Sequence, residues 1–410
     1  MNALDLAYLG VAGVTSPWWA RKRRGGWGER FGKTGVLGDR ADEGAGRVLL
    51  HAVSVGEVNA LRQLVPLLAR EARVIVSAST DTGIARAREL YSGSCDVVRY
   101  PLDASFAVRR FLDAVRPDAV GLVELELWPN FLRACGEREI PVCVINGRLS
   151  ARSFRGYVRF RRWTSPMFRR LAFAAVQDED YAGRFEAMGV SPGACLLTGS
   201  MKWDAARVVD EVEGAEALAA TMGIDRGRAL IVAGSTGPGE EALLHEACPS
   251  GVQLLCAPRK PERFDEAAEA MPGCVRRSAG VAGRDADRYL LDTIGELRAA
   301  YSLADVVVVG RSFGDQFGSD PIEPIALGKA TVIGPAVSDF ARIVETFEAA
   351  SGIVRTTREA LGAVLGELVA DDDRRRRLGE AGRACVRAQQ GASARHAELL
   401  LSLLGSREAS

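Results

Sequence analysis

The chain has 410 residues, 47% of them hydrophobic, and its 53 basic residues balance its 53 acidic ones. That length suits two domains with sizeable cores, and the neutral balance argues against a general nucleic-acid binder. With only three His there is no His-rich metal site, and eight scattered Cys without a Cys-x-x-Cys pair read as buried reduced thiols.

The N-terminus differs from the rest. Ala3 to Ala20 is mostly apolar, carries Trp18 and Trp19 near its end, and runs straight into Arg21-Lys22-Arg23-Arg24. At about 18 residues, interrupted by Asp5 and Pro17, it is marginal for a membrane span. It lacks the small-residue cleavage site of a secretory signal. Aromatic residues beside a basic cluster suit the headgroup region of an anionic leaflet, so residues 1–26 are expected to form a membrane anchor. The alternative is an amphipathic helix packed on the protein itself.

From Val48 onward, apolar strand-like runs alternate with helical segments, the rhythm of a parallel α/β architecture. Strands are expected at Val48–Ala52, Val74–Ala78, Ala119–Val123, Val142–Ile145 and Ala172–Val176. A second series is expected at Ala229–Ala233, Gln253–Cys256, Val306–Val309 and Thr331–Ile333. This divides the chain into a first domain at 27–204, a helix and linker at 205–228, a second domain at 229–390, and a C-terminal helix and tail at 391–410.

Carboxylates stand where two of these strands end. Val120-Gly121-Leu122-Val123 stops abruptly at Glu124-Leu125-Glu126, and Trp128-Pro129-Asn130 opens the next helix. Ionised carboxylates are costly to bury without partners, and ligands bind at the carboxyl ends of strands in open α/β sheets. Glu57 follows the strand at Val48–Ala52 in the same way. Ser54 and Glu57 also have the spacing of a capping box, which would account for them without chemistry.

Between Arg148 and Arg170 the chain has eight Arg and no acid. Arg152, Arg155, Arg159 and Arg162 recur at helical spacing on one stripe, with Phe154, Tyr157, Val158 and Trp163 on other faces. Solvated helix faces normally mix signs, so this stripe, with Arg148, points to phosphate or a membrane surface. Asp178-x-Asp180 has the look of a metal-binding pair but follows a strand and starts a helix, which favours capping. In the second half, Gly234-Ser235-Thr236-Gly237-Pro238-Gly239-Glu240-Glu241 follows a strand and opens a helix, where backbone amides can receive a phosphate, although a simple N-cap at Ser235 or Thr236 would account for it equally.

Taken in order, these residues carry a family resemblance. His51-Ala52-Val53-Ser54-Val55-Gly56-Glu57, Glu124-Leu125-Glu126-Leu127-Trp128-Pro129-Asn130 and Asn146-Gly147-Arg148-Leu149-Ser150 resemble signature blocks of the 3-deoxy-D-manno-octulosonic acid (Kdo) transferases. Gly199-Ser200-Met201-Lys202-Trp203-Asp204, Pro258-Arg259, Asp292-Thr293-Ile294-Gly295-Glu296-Leu297 and Gly334-Pro335 continue the match.

The resemblance implies a GT-B glycosyltransferase: two doubly wound, Rossmann-like α/β domains facing a cleft, attached to the cytoplasmic face of the inner membrane. It implies transfer of Kdo from CMP-Kdo to a tetra-acylated lipid A precursor, with inversion and with no cofactor, metal or nucleic acid. Glu57 is then the general base and Glu124 the second carboxylate, supported by Ser54 and Glu126. Ser235, Pro258, Arg259, Ile294, Gly295, Glu296, Asp320, Pro321, Ile322 and Glu323 are the CMP contacts. Arg148, Arg152, Arg155, Arg159 and Arg162 face the acceptor. The chain departs from the family pattern at Lys260 and Gly237, where His is usual, at Arg311, where the second Gly of a pair is usual, and at Ser319. All four lie in the nucleotide half, and they leave a glycosyltransferase or sugar-nucleotide epimerase with another donor as the alternative.

Overall fold

The computed structural model describes residues 5, 8, 25–35, 37, 46–280, 283 and 286–408. The chain divides into two compact units, one of Met1–Ala205 with Gln390–Ser410, the other of Ala206–Gln389.

The first unit is built on a parallel sheet of seven strands: β1 (Arg47–Ala52), β2 (Arg73–Ala78), β3 (Asp96–Arg99), β4 (Ala119–Val123), β5 (Val142–Gly147), β6 (Ala174–Val176) and β7 (Cys195–Leu197). Their spatial order is β3-β2-β1-β4-β5-β6-β7. β1 and β4 are wholly buried because helices cover both faces of the sheet, which is why they read as unbroken apolar runs. The order reverses between β1 and β4, which pair directly. A crevice opens at such a reversal because the connections leave to opposite sides.

The second unit repeats the plan with β8 (Leu230–Thr236), β9 (Gln253–Pro258), β10 (Val275–Arg276), β11 (Arg288–Leu290), β12 (Val306–Val309), β13 (Ala330–Ile333) and β14 (Val354–Arg355). The order is β10-β11-β9-β8-β12-β13-β14, all parallel, with the reversal between β8 and β12.

Two boundaries differ in character from the sequence reading. The stretch 205–228 contains the helix Ala215–Met222, whose Ala215, Leu218, Ala219 and Met222 are buried against Leu230, Val232 and Tyr289 of the second unit. The C-terminal helix Ala392–Glu408 returns to the first unit, where Ala392, Ala397 and Leu400 pack with Val48, Leu50, Val123 and Ile145.

Nearly all of the expected N-terminal anchor, including the Arg21–Arg24 cluster, lies outside the described residues. Asp5 and Tyr8 are described and are held by the first unit. Asp5 accepts from the Ser105 amide at 2.8 Å, and the Tyr8 hydroxyl donates to Asp103 at 3.1 Å. Among the described residues no helix is long and apolar enough to cross a membrane.

Candidate active site

The reversal in the first sheet gathers the carboxylates. Glu57 sits in the first turn of the helix Val55–Ala60, just beyond β1, and Glu124 directly follows β4. With Glu126, Arg148, Ser150 and Tyr157 they line a cavity of about 330 Å³. Both candidate catalytic carboxylates therefore share one cavity with one candidate acceptor arginine.

Glu57 is fixed by a variant of the capping box in which its carboxylate reaches back to the residue before the N-cap Ser54. The Val53 amide donates to its Oε2 and the Ser54 hydroxyl to its Oε1, each at 2.8 Å, while the Glu57 amide donates to Ser54 Oγ at 3.4 Å. Capping and catalysis are compatible here, because a carboxylate has about four lone-pair sites and these bonds occupy two. Desolvation pushes the Glu57 carboxyl up, against the opposing pull of its hydrogen bonds, and the charge of Glu124 adds to the rise. A raised pKa makes the carboxylate a better base.

Glu126 accepts the Trp128 indole N–H at 3.0 Å. Desolvation, with the charges of Glu57 and Glu124, lifts its carboxyl to about 7. Glu124 has φ 59°, in the left-handed region that costs a residue with a Cβ on the order of 1 kcal/mol. Such strain persists only where the surroundings impose it, and it clusters at functional sites. Trp128 also borders a second cavity of about 420 Å³, with Arg30, Thr80, Asp81 and Tyr100 in its wall.

The arginine stripe needs a correction. The helix Ala151–Arg159 ends at Phe160, which leaves helical geometry (φ −114°, ψ 28°), and a new helix runs over Arg161–Phe168. Arg152, Arg155 and Arg159 share the first helix and Arg162 belongs to the second, so the four do not form one continuous stripe. At the break the Tyr157 carbonyl accepts the Phe160 amide at 3.1 Å, and the Thr164 hydroxyl lies within donating distance of the Tyr157 and Phe160 carbonyls at 3.0 and 3.2 Å. All four are exposed, beside the exposed apolar Val158, Phe160 and Trp163, the last 74% accessible. Tyr157, on the inner face of the first helix, forms part of the carboxylate cavity.

Several residues that sequence reasoning did not single out shape the site. The end of β5, which leads to Arg148, is pinned by the C-terminal helix: the Asn146 amide donates to His396 Nε2 at 2.8 Å. That bond requires the tautomer in which Nδ1 carries the proton, and Nδ1 faces the Ala392 carbonyl at 2.6 Å. The partners lie 250 residues apart, so no local pattern could reveal them. Asp178 caps the helix Glu179–Met188 by accepting from the Tyr181 amide at 2.8 Å. Among the described residues no group of three His, Cys, Asp or Glu could hold a metal ion.

The reversal in the second sheet gathers most of the candidate nucleotide residues. Ser235 stands in β8, Arg259 immediately beyond β9, and Arg311 two residues beyond β12. The buried Tyr301 ring lies under Gly234; burial pushes its ionisation up, the charges of Glu323 and Asp320 add to the rise, and Arg259 opposes it. Asp320 accepts from the Ile322 amide at 2.9 Å, and Pro321 and Ile322 are buried at the start of the helix Ile322–Ala326. Pro258 closes β9 and is buried, and Lys260 beside Arg259 is exposed.

Ile294, Gly295 and Glu296 lie beyond β11, which is separated from β8 by β9. Ile294 is 76% exposed, Gly295 has φ 97°, and Glu296 is held by Arg277 at 2.9 Å and by Thr293. Ser319 is buried, and its hydroxyl has no partner among the described residues.

A carboxylate to which the sequence motif gives no role of its own organises this end of the sheet. Glu240 is 2% exposed and accepts four backbone N–H groups: Gly237 at 2.8 Å, Arg311 at 2.6 Å, Ser312 at 2.8 Å and Phe313 at 2.9 Å. Its neighbour Glu241 is bound by Arg263 at 2.9 Å and by the Thr236 hydroxyl at 2.6 Å. At a helix start both read as ordinary dipole complements.

Two Rossmann-like sheets, each with charged groups at its reversal, have the GT-B architecture. The fold is shared with UDP-GlcNAc 2-epimerase from Neisseria meningitidis (TM-score 0.59, 13% identity, 87% of this chain and 100% of that one). It is also shared with MurG from Acinetobacter baumannii (TM-score 0.55, 14% identity, 87% and 99%).

Residues 25–205 match the family model described as 3-deoxy-D-manno-octulosonic-acid transferase (kdotransferase). The chain is 34% identical to the 3-deoxy-D-manno-octulosonic acid transferase of Bordetella pertussis, covering 98% of each chain. It is 29% identical to that of Haemophilus influenzae, covering 97% of this chain and 95% of the relative. The chain belongs to the Kdo transferase family.

Proposed function

We propose that the protein transfers Kdo from CMP-Kdo to a tetra-acylated lipid A precursor, with inversion and release of CMP, at the cytoplasmic face of the inner membrane. The observation that carries this reading is the cavity in which Glu57 and Glu124 stand together with Arg148 and the inner face of an arginine-rich helix. A sugar nucleotide already has a good leaving group. The reaction therefore needs a base for the attacking hydroxyl and positive charge where the phosphate departs.

Glu57 supplies the base. Its capping bonds fix the carboxylate, and burial, which pushes its pKa up, makes it a stronger base than a solvated carboxylate. Glu124 orients the acceptor or balances oxocarbenium-like charge at the anomeric carbon, with Ser54 and Glu126 in support. Exposed Arg152, Arg155, Arg159 and Arg162 suit the phosphates of the acceptor's disaccharide, and Val158, Phe160 and Trp163 suit its acyl chains or the bilayer interface.

In the second unit, Arg259 beyond β9 holds the departing phosphate, and Glu323 takes two ribose hydroxyls. A single displacement at the anomeric carbon inverts it. The test is product analysis with CMP-Kdo and the tetra-acylated precursor. A Kdo-bearing lipid with inverted anomeric configuration and free CMP is expected. No transfer from CMP-Kdo, with turnover of another sugar nucleotide, would overturn the reading.

A further inference from the structure

Arg311 occupies a backbone position that glycine would hold more cheaply. Its φ is 58°, in the left-handed region, where a Cβ is crowded against the backbone. The position cannot relax, because the peptide leading into it is fixed from two sides. The Gly310 amide donates to the Gly234 carbonyl at 2.8 Å, and the Arg311 amide donates to buried Glu240 at 2.6 Å. An observed backbone outlier of this kind is a reason to look for a task in its side chain.

The side chain is also held. Arg311 Nε donates to Gln316 Oε1 at 2.8 Å. The Gln316 carboxamide in turn lies over Gly237, close enough that a Cβ there would meet its Oε1 at 2.9 Å. A side chain at 237 and this Arg311–Gln316 pair therefore compete for one space, and the chain has filled it from the β12 side. The guanidinium is thus held above the β8 loop at the reversal of the sheet. Among the described residues its terminal nitrogens have no ionic partner, although this end of the sheet also carries Asp320 and Glu323.

The sugar of the proposed donor is an ulosonic acid, with a carboxylate on the anomeric carbon beside the phosphate. A guanidinium offers two parallel N–H donors to a carboxylate, and an immobilised one loses little entropy in making them. We infer that Arg311 is a donor-recognition residue that reads the sugar carboxylate of the CMP-linked ulosonic acid, with Gln316 as the residue that aims it. This rests on the function proposed above and assigns the carboxylate within that donor to one side chain. Arg259 is left to the phosphate.

The test uses Arg311→Gly, which suits the left-handed backbone and so retains the fold. The expected result is a rise of about 10- to 100-fold in the KM for CMP-Kdo, the range for losing a hydrogen bond to a charged group. Affinity for CMP, which has the phosphate but no carboxylate, changes less than about threefold by calorimetry. Gln316→Ala gives a smaller rise in the same KM, with kcat little changed. An unaltered KM for CMP-Kdo in Arg311→Gly overturns the inference. So does an equal loss of affinity for CMP, because the contact would then be to the phosphate. The two levels fail differently. A wild-type enzyme that does not use CMP-Kdo overturns the proposed function and this inference with it. A wild type and an Arg311→Gly variant that use it equally well overturn only the role of Arg311.

Discussion

Replacing Glu57 by Gln separates its two duties, because the structure shows what each requires. The cap needs an acceptor for the Val53 amide, now at 2.8 Å from Oε2, and a partner for the Ser54 hydroxyl, now at 2.8 Å from Oε1. Gln supplies the first through its carbonyl oxygen. Its NH₂ then faces Ser54 Oγ, which accepts once its own proton rotates away. The capping box tolerates Gln at this position for that reason, so the cost in stability stays within about 1 kcal/mol. The base has no such substitute, since an amide has no useful basicity at neutral pH. Loss of general-base catalysis removes about 10²- to 10⁴-fold in rate. Glu57→Gln should melt near the wild type, bind CMP through the second unit with unchanged affinity, and lose transfer by that factor at saturating substrates. A kcat within about threefold of wild type would refute the assignment and pass the role of base to Glu124.

Replacing Arg155, Arg159 and Arg162 together with Gln should raise the KM for the lipid acceptor far more than that for CMP-Kdo, in initial-rate assays that vary each substrate. The full-length chain should float with anionic liposomes, and deletion of residues 1–26 should reduce that fraction strongly in a flotation assay. Burial lowers the His51 pKa to about 3 from the usual 6.5, so the unfolded chain takes up a proton that the folded chain refuses. That stability is full above pH 6.5 and is lost as the pH falls, so the melting temperature of His51→Gln should drop less than that of wild type between pH 7 and 5. Glu126 has the opposite sign: raised from 4.5 to about 7, it stays protonated in the folded chain while it ionises in the unfolded one. Its contribution is lost as the pH rises through that window, and Glu126→Gln should flatten the decline in melting temperature between pH 5 and 8.

The sequence made the central strands of both sheets legible because they are buried on both faces and read as apolar runs: β1, β2, β4, β5, β6, β8, β9, β12 and β13 fall where such runs occur. The edge strands were not legible. β3 reads Asp96-Val97-Val98-Arg99, and β10 and β14 are two residues long, so none has a pattern strong enough to stand apart from a loop. The carboxylates could be found because strand ends are recognisable and two of them end in Glu. The supports behind them could not. His396 reaches the Asn146 amide from the other end of the chain, and Glu240 collects its N–H donors from two loops more than 70 residues apart. Helical spacing joins the four arginines into one stripe because spacing carries no information about φ at Phe160, where the first helix ends and the second begins.

Backbone conformation is the level at which the two halves prove most alike. Glu124 and Asn146 in the first unit, and Ser235 and Arg311 in the second, all have φ between 51° and 59°, and all stand at or just beyond the carboxyl ends of strands flanking a sheet reversal or next to one. Glycine would remove that strain at each position. Retaining a side chain there is understandable where the side chain or its backbone is used. Asn146 Oδ1 accepts the Met201 amide at 3.0 Å, Glu124 enters the carboxylate cavity, and Arg311 is held by Gln316 over the β8 loop. A left-handed residue turns the chain out of the strand within one step, so its side chain reaches the crevice instead of continuing the alternation of the sheet. The same turn directs nearby amides inward, as at Arg311, Ser312 and Phe313, where Glu240 gathers them. Strain at these points thus does two jobs at once: it presents polar groups to the crevice and gives the backbone behind them an anchor. Substituting glycine for Glu124 or Arg311 therefore removes a functional group without unfolding its support, whereas substituting a β-branched residue would disturb both.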